Sequence, residues 1–383
     1  MDRKPSLLHL FLAFLRLGAT AFGGPAMVSH IKHLTVKKKE WLDEETALHG
    51  IVLCQTLPGA IAVNFASYAG YRIKGIAGML VSFAGFTLPA FLLMLFFSAV
   101  YERNHAVPVV SSLFVGLEII VVSILVHAAY FLGKNSLTSV RDITIALISA
   151  SALLLKTSPL MALLGAGFMG IVLYKFSGAV QTVKQERLSR SFLHAFFLVI
   201  LFFVSLFCLY FSDKKLFDLA AVMSKIEIVA FGGGYTALTL MAHEVVEARS
   251  WIDSKAFLDG IALGQITPGP ILITASFVGY LVKGVQGAVI GAIYIFAPGI
   301  VLITLTLPFF DRFTSSAIFK RVIRGIVCCF VGMLGYVSIK FAAEIHWDSA
   351  RALFCMASLI LVFRGLDLLW LALAGAVVSV FVF

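Results

Sequence analysis

Apolar and polar positions along this chain fall into blocks rather than alternating residue by residue. Continuous apolar runs cover residues 7–28, 47–70, 76–100, 107–132, 140–155, 159–174, 192–211, 216–232, 257–281, 284–310, 322–341, 352–363 and 366–383. Most approach the ~20 residues that a helix needs to cross a bilayer core. None shows the period-two alternation of an outer-membrane strand. The pattern predicts an all-α polytopic membrane protein with thirteen candidate spans. The runs at 140–155 and 352–363 are short for a span. Those at 47–70 and 257–281 carry Pro-Gly in their middle, which predicts broken or re-entrant helices near the midplane. The polar stretches 32–45, 175–191 and 243–255 are too short for a soluble domain.

An internal repeat orders these runs. Phe22-Gly23-Gly24-Pro25 recurs as Phe231-Gly232-Gly233-Gly234, a shift of 232 − 23 = 209. Trp41 and Asp43 recur as Trp251 and Asp253, and Gln55-x-x-Pro58-Gly59 as Gln265-x-x-Pro268-Gly269, both shifted by 210. Gly70-Tyr71, Lys74-Gly75, Pro89 and Gly116 return at 209 as Gly279-Tyr280, Lys283-Gly284, Pro298 and Gly325. The chain therefore divides into an N-terminal repeat (1–175), a linker with an unpaired connecting helix (176–215) and a C-terminal repeat (216–383). If every run spans, seven crossings precede the second repeat. It then enters the bilayer from the opposite side, which makes an inverted-topology repeat of the transporter kind. Lys/Arg counts come out equal for this topology and for a parallel one with re-entrant Pro-Gly segments, so charge leaves the choice open.

Composition narrows the class further. Hydrophobic residues make up 60% and charged residues 13%, about half the charge of a soluble domain. Such a chain cannot cover a water-facing surface, which excludes a soluble enzyme, a disordered chain and a secreted disulfide scaffold. The formal net charge of +10 is explained for the most part by basic cytoplasmic loops on anionic lipid, with an anionic substrate as the sharper alternative. No soluble basic domain exists to hold nucleic acid. The five cysteines form no C-x-x-C pair and read as small hydrophobes. The basic start and apolar stretch at the N-terminus lack a small-residue cleavage site and read as a retained first span.

The chemistry-bearing residues sit at the repeat-related breaks. Adjacent glycines interrupt a helix, and Pro25 suits the first turn of a new one. A helix starting there presents free N–H groups to an anion. Close packing through small residues is the competing explanation. Pro58-Gly59 and Pro268-Gly269 break the backbone within apolar runs, with Gln55 and Gln265 one turn before. Asn64, Thr267 and Thr274 are neutral polar side chains beside these breaks. Arg16 and Lys225 are repeat equivalents (225 − 16 = 209) inside apolar spans, where a cation costs at least ~2.5–3.5 kcal/mol. They flank a dianion, or they snorkel or form internal ion pairs, with Glu118 or Glu227 as partners. The same two glutamates are candidates for proton coupling. His127 and His194 lie near span ends and read as interfacial. Gly165–Gly170 matches G-x-G-x-x-G within an apolar span and follows no strand, so it is no nucleotide site. No metal, cofactor or hydrolase motif occurs.

The Phe-Gly-Gly-Pro/Gly breaks, the Trp41-Leu42-Asp43-Glu44 and Trp251-Ile252-Asp253-Ser254 segments and the two Gln-x-x-Pro-Gly motifs together resemble the chromate ion transporter family, in its two-domain, long-chain form. The likeness is strongest over about 7–130 and 216–341. It implies antiparallel halves and a multi-pass protein of the cell (inner) membrane. It also implies export of chromate against proton entry, giving chromate resistance, with no enzymatic activity and no cofactor. The family is broad, so sulfate or related oxyanion uptake, or an anion channel, are the alternatives. Gly234 in place of a second proline departs from the motif and puts equal roles for the halves in question. A tetrahedral dianion wants several donors and compensating positive charge. Two half-helix N-termini supply N–H groups and roughly +0.5 charge each, and Arg16 and Lys225 the remainder. Membrane lipid is the other expected partner, and a homodimer is left open.

Overall fold

The computed structural model describes residues 5–22, 24–104, 108–174, 189–307, 316–366 and 368–382, and no strand occurs among them. The first repeat forms α1 (Leu7–Thr20), α2 (Gly24–Lys32), α3 (Glu44–Thr56), α4 (Ile61–Asn104), α5 (Pro108–Ser136), α6 (Val140–Leu154) and α7 (Pro159–Leu173). The connecting helix is α8 (Ser189–Ser212). The second repeat forms α9 (Lys214–Val229), α10 (Gly234–Ala242), α11 (Ser254–Ile266), α12 (Thr274–Thr306), α13 (Ala317–Glu344), α14 (Ser349–Phe363) and α15 (Leu368–Val382). Stretches within α4, α5, α8, α12 and α13 are long and apolar enough to cross a membrane, and α1, α7, α14 and α15 are shorter apolar helices. The protein is all-α and polytopic, as the blocks of apolar residues require.

The two halves repeat each other down to their irregularities. In each, a short helix after the glycine break widens into a π turn, at His33–Lys38 and at His243–Ala248. The chain then leaves through a residue of positive φ, Glu40 or Ser250. The Trp41 N–H donates to the Thr35 carbonyl and the Trp251 N–H to the Val245 carbonyl, both at 2.8 Å. Two residues on, Asp43 accepts the Thr46 N–H and Asp253 the Ala256 N–H, both at 2.7 Å. The Trp-x-Asp signature is thus a turn followed by a helix N-cap. The Thr46 N–H holds the Asp43 carboxyl below its usual range.

Two further breaks divide α4 and α12. Lys74 and Gly75 leave helical geometry inside α4, as Lys283 and Gly284 do inside α12. Backbone meets backbone beside each turn. A Cβ on Gly70 would strike the Gly78 carbonyl, and one on Gly279 the Gly287 carbonyl. The arm of α4 before its turn (61–73) and α3 are each ~20 Å long, shorter than the ~30 Å hydrocarbon core.

The chain folds into two compact units that interleave along the sequence instead of following the repeats. One comprises Met1–Glu102, Gln185–Gly234 and Leu263–Phe310. Its centre buries Phe14, Phe65, Tyr68, Phe86, Phe277 and Phe296, with α9 packed on α8 and α12. The other comprises Arg103–Lys184, Tyr235–Ala262 and Asp311–Phe383. Here α13 packs against α5, α6 and α7 through glycines that admit the neighbouring backbone. Gly325 faces the Ala166 carbonyl and Gly332 the Ala146 carbonyl. In lipid, helices associate through such close contacts because hydrophobic burial offers no advantage. Buried Asp142 adds a polar lock, accepting from Arg324 at 2.8 and 3.0 Å and from the Tyr174 hydroxyl at 2.5 Å.

Candidate functional site

All four predicted breaks fall in the first compact unit. Pro58-Gly59 separates α3 from α4, Gly232-Gly233 separates α9 from α10, and Pro268-Gly269 follows α11. Gly24 opens α2, with Pro25 in its first turn, where the missing N–H is harmless. Gly23 lies outside the described residues.

These breaks pair crosswise between the repeats. The last carbonyls of a helix lack partners inside it. Ala21 and Ala230 are the C-caps of α1 and α9, and both are fully buried. The Gly59 N–H donates to the Ala230 carbonyl at 2.8 Å, and the Gly269 N–H donates to the Ala21 carbonyl at 2.9 Å. Each half's Pro-Gly break therefore closes the helix end just before the other half's double glycine. The bond needs glycine, because φ is +101° at Gly59 and +113° at Gly269, a region that L residues avoid. Neighbouring contacts follow the same crossing. Gly233 lies against Ile61, at the start of α4.

Side chains brace each break from within its own half. The Asn64 amide donates to the Pro58 carbonyl at 3.2 Å, and the Thr274 hydroxyl to the Ile271 carbonyl at 2.8 Å. Thr267 is buried and donates to the Leu263 carbonyl at 2.8 Å. Pro58, Pro268 and Gly233 are buried, Phe22, Phe231, Gly234 and Gln265 half-buried, and Gln55 and Gly232 exposed.

Arg16 and Lys225 are exposed on α1 and α9. Each precedes by two residues a position buried in the crosswise contacts, Gly18 and Glu227. Residues two apart on a helix do not share a face. The cations thus stand on the outer sides of the helices whose inner sides carry the pairing, and Lys225 does not meet Glu227. Glu118 belongs to the other compact unit, on α5, beside Asp259, Lys255 and Arg351.

Three participants escaped the sequence reading. Ala21 and Ala230 act through carbonyls, which no side-chain pattern reveals. Gly299 borders Glu227 and Asn64. A signal for the Glu227 position was present: 227 − 18 = 209, so the repeat matches this acid with a glycine.

The comparisons with known proteins agree with this architecture. A family model described as Chromate transporter matches twice, over residues 8–171 and 217–380. An uncharacterised transporter of Methanocaldococcus jannaschii is 37% identical over 98% of this chain and 94% of its own length. The chromate transport protein of Cupriavidus metallidurans is 27% identical over 94% of this chain and 88% of its own. That of Pseudomonas aeruginosa is 28% identical over 87% and 80%. No solved structure matches the chain. With two family matches laid over two halves that interlock at their helix breaks, this multi-pass membrane protein belongs to the chromate transporter family.

Proposed function

We propose that the protein is a secondary transporter that carries chromate out of the cytoplasm across the cell membrane, driven by proton entry, and so confers chromate resistance. The observation that carries this reading is the crosswise pairing of Gly59 with Ala230 and of Gly269 with Ala21. It holds the two glycine breaks, with the start of α2, in one compact unit beside the opposite half's break. The first turn of α2, which follows the Gly269–Ala21 bond, carries positive partial charge on its N–H groups. They suit a dianion such as chromate, which takes several donors at once. Phe22 and Phe231 flank this seat, and Gln55 and Gln265 stand one turn before the breaks. Arg16 and Lys225, on outer helix faces, serve the approach and charge balance of the anion rather than its buried seat. If every apolar run before the second repeat crosses, the halves are inverted, the arrangement in which one site is reached alternately from either side.

The test is chromate accumulation in inside-out membrane vesicles containing the full chain. The expected result is saturable accumulation that collapses when the proton gradient is dissipated and resists excess sulfate. Sulfate flux without chromate flux would make the protein a sulfate carrier, and voltage-following flux that does not saturate would make it a channel.

A further inference from the structure

At Glu227 the paired breaks differ in charge-bearing chemistry. Four positions meet there: Gly59, Asn64, Glu227 and Gly299. Their repeat equivalents are Gly269 (269 − 59 = 210), Thr274 (274 − 64 = 210), Gly18 (227 − 18 = 209) and Ala90 (299 − 90 = 209). In the second set, Gly269 faces the Ala90 side chain and the Gly18 carbonyl. In the first, the Glu227 carboxyl occupies the corresponding space. A Cβ on Gly59 would strike that carboxyl, and one on Gly299 would strike both the carboxyl and the Asn64 side-chain oxygen. The fold reserves room for an acid in one half only.

The slot is buried and short of donors. Glu227 and Asn64 are both 0% exposed. Glu227 Oε1 accepts the Ala60 N–H at 3.1 Å. Glu227 Oε2 and Asn64 Oδ1 have no hydrogen-bond partner among the described residues. The Glu227 carboxyl, through Oε1, and Asn64 Oδ1 border the same gap at Gly299, and Oε2 lies toward Gly59. Among the described residues, the groups bordering this carboxyl are neutral. From α4 comes Asn64, from the break Gly59 and Ala60, and from α12 Gly299. The Tyr294 hydroxyl of α12 is spent on Ser205 of α8, and His194 of α8 is paired with Tyr71. Lys283 of α12 pairs with Asp213, at the far end of α9. On α9 itself, Lys225 lies on another face.

We propose that the Glu227 carboxyl is the proton-binding group of the transport cycle, and that this site exists in one half alone. The proposal rests on the reading of the protein as a proton-coupled transporter. On protonation the carboxyl gains an O–H donor, and Asn64 Oδ1, beside the same Gly299, is an acceptor without a partner among the described residues. On release the O–H bond breaks, the proton leaves to water, and the carboxylate tightens its charge-assisted bond from Ala60. The end of α9 then holds two consecutive N–H groups of the break, Gly59 through the Ala230 carbonyl and Ala60 through Glu227. Proton occupancy thus sets how firmly α9 grips the break next to the Gly233–Gly234 helix start. That is a local, two-state link between a proton and the proposed oxyanion seat.

The experiment uses the purified full-length protein in liposomes with two readouts. The first is the infrared C=O band of a protonated carboxylic acid, followed with pH and without chromate. The band is expected in the wild type and in Glu118→Gln, and lost in Glu227→Gln. Gly299→Ala, which pushes a methyl against the slot, should shift its midpoint and serves if Glu227→Gln fails to fold. The second readout is chromate accumulation under a pH gradient, which Glu227→Gln should cut about tenfold or more, and further than it cuts chromate exchange at equal pH. A band that persists in Glu227→Gln, an unmoved midpoint in Gly299→Ala, or undiminished gradient-driven accumulation would overturn the proposal. A titrating Glu227 band in a wild type that moves no chromate would leave the proton site standing and remove the substrate reading instead.

Discussion

Gly59 donates its N–H to the carbonyl of Ala230, at the end of a helix in the opposite repeat, and Gly269 returns the same bond to Ala21. This reciprocal bond explains why a double glycine and a Pro-Gly pair recur together in both repeats. The Pro-Gly break frees an N–H, and the helix before the double glycine presents the carbonyl that receives it. Neither half can complete its break alone.

Gly59→Ala should therefore be among the most damaging small substitutions. Positive φ at a non-glycine residue costs ~1–3 kcal/mol, and the new Cβ also meets the Glu227 carboxyl. The melting temperature of the purified protein should fall, and Glu227→Gly in the same chain, which copies Gly18, should restore part of the loss. An unchanged melting temperature for Gly59→Ala would contradict the crosswise bond.

The Trp-x-Asp segments invite a binding role because of their place in the motif, yet their geometry is that of a cap. Asp43→Ala and Asp253→Ala should each lower stability by ~1 kcal/mol, the usual cost of losing an N-cap. The half-saturating chromate concentration should stay the same, as measured in vesicles at matched protein content. A large rise in that concentration would move Asp43 or Asp253 into the binding site.

The fold was legible in the sequence wherever it rests on side-chain type. Apolar runs marked the long helices, and Gly-Gly and Pro-Gly marked the breaks, because lipid penalises irregular backbone so heavily that only such residues signal it. The site was legible in part. Gln55, Arg16 and Lys225 stood out as polar residues in apolar runs, but polarity does not tell which side of a helix faces a neighbour. The crosswise bonds run through the backbone of alanine and glycine, and the interleaving of the compact units depends on long-range packing. Both lie beyond any local pattern.

Glu247 supplies a pH-dependent brace away from the breaks. His243 donates to its carboxyl at 2.8 Å and Lys340 forms an ion pair with it. The His243 bond first, and Lys340 after it, hold the Glu247 carboxyl down to about 2. A depressed acid stabilises the fold above its unfolded value of ~4.3 and loses that contribution as pH falls toward its folded value. Glu247→Gln should cost ~1–3 kcal/mol at neutral pH after allowance for solvent screening. The gap between the two melting temperatures should narrow as pH drops from about 5 to about 3. A gap independent of pH would show that the brace acts through packing.

Inverted halves make a separate prediction about sidedness. Single cysteines in the loops 32–40 and 249–255 should react with a membrane-impermeant reagent from opposite faces. Labelling from one face would require parallel halves.

The central claim is that the oxyanion is held where each repeat's break locks onto the other's helix end. The most direct measurement is cryo-electron microscopy of the full-length protein saturated with chromate. Chromate density is expected against the first-turn N–H groups of α2, beside the Gly269–Ala21 and Gly59–Ala230 bonds. Chromate bound away from all four breaks, or continuous helix through them, would contradict it.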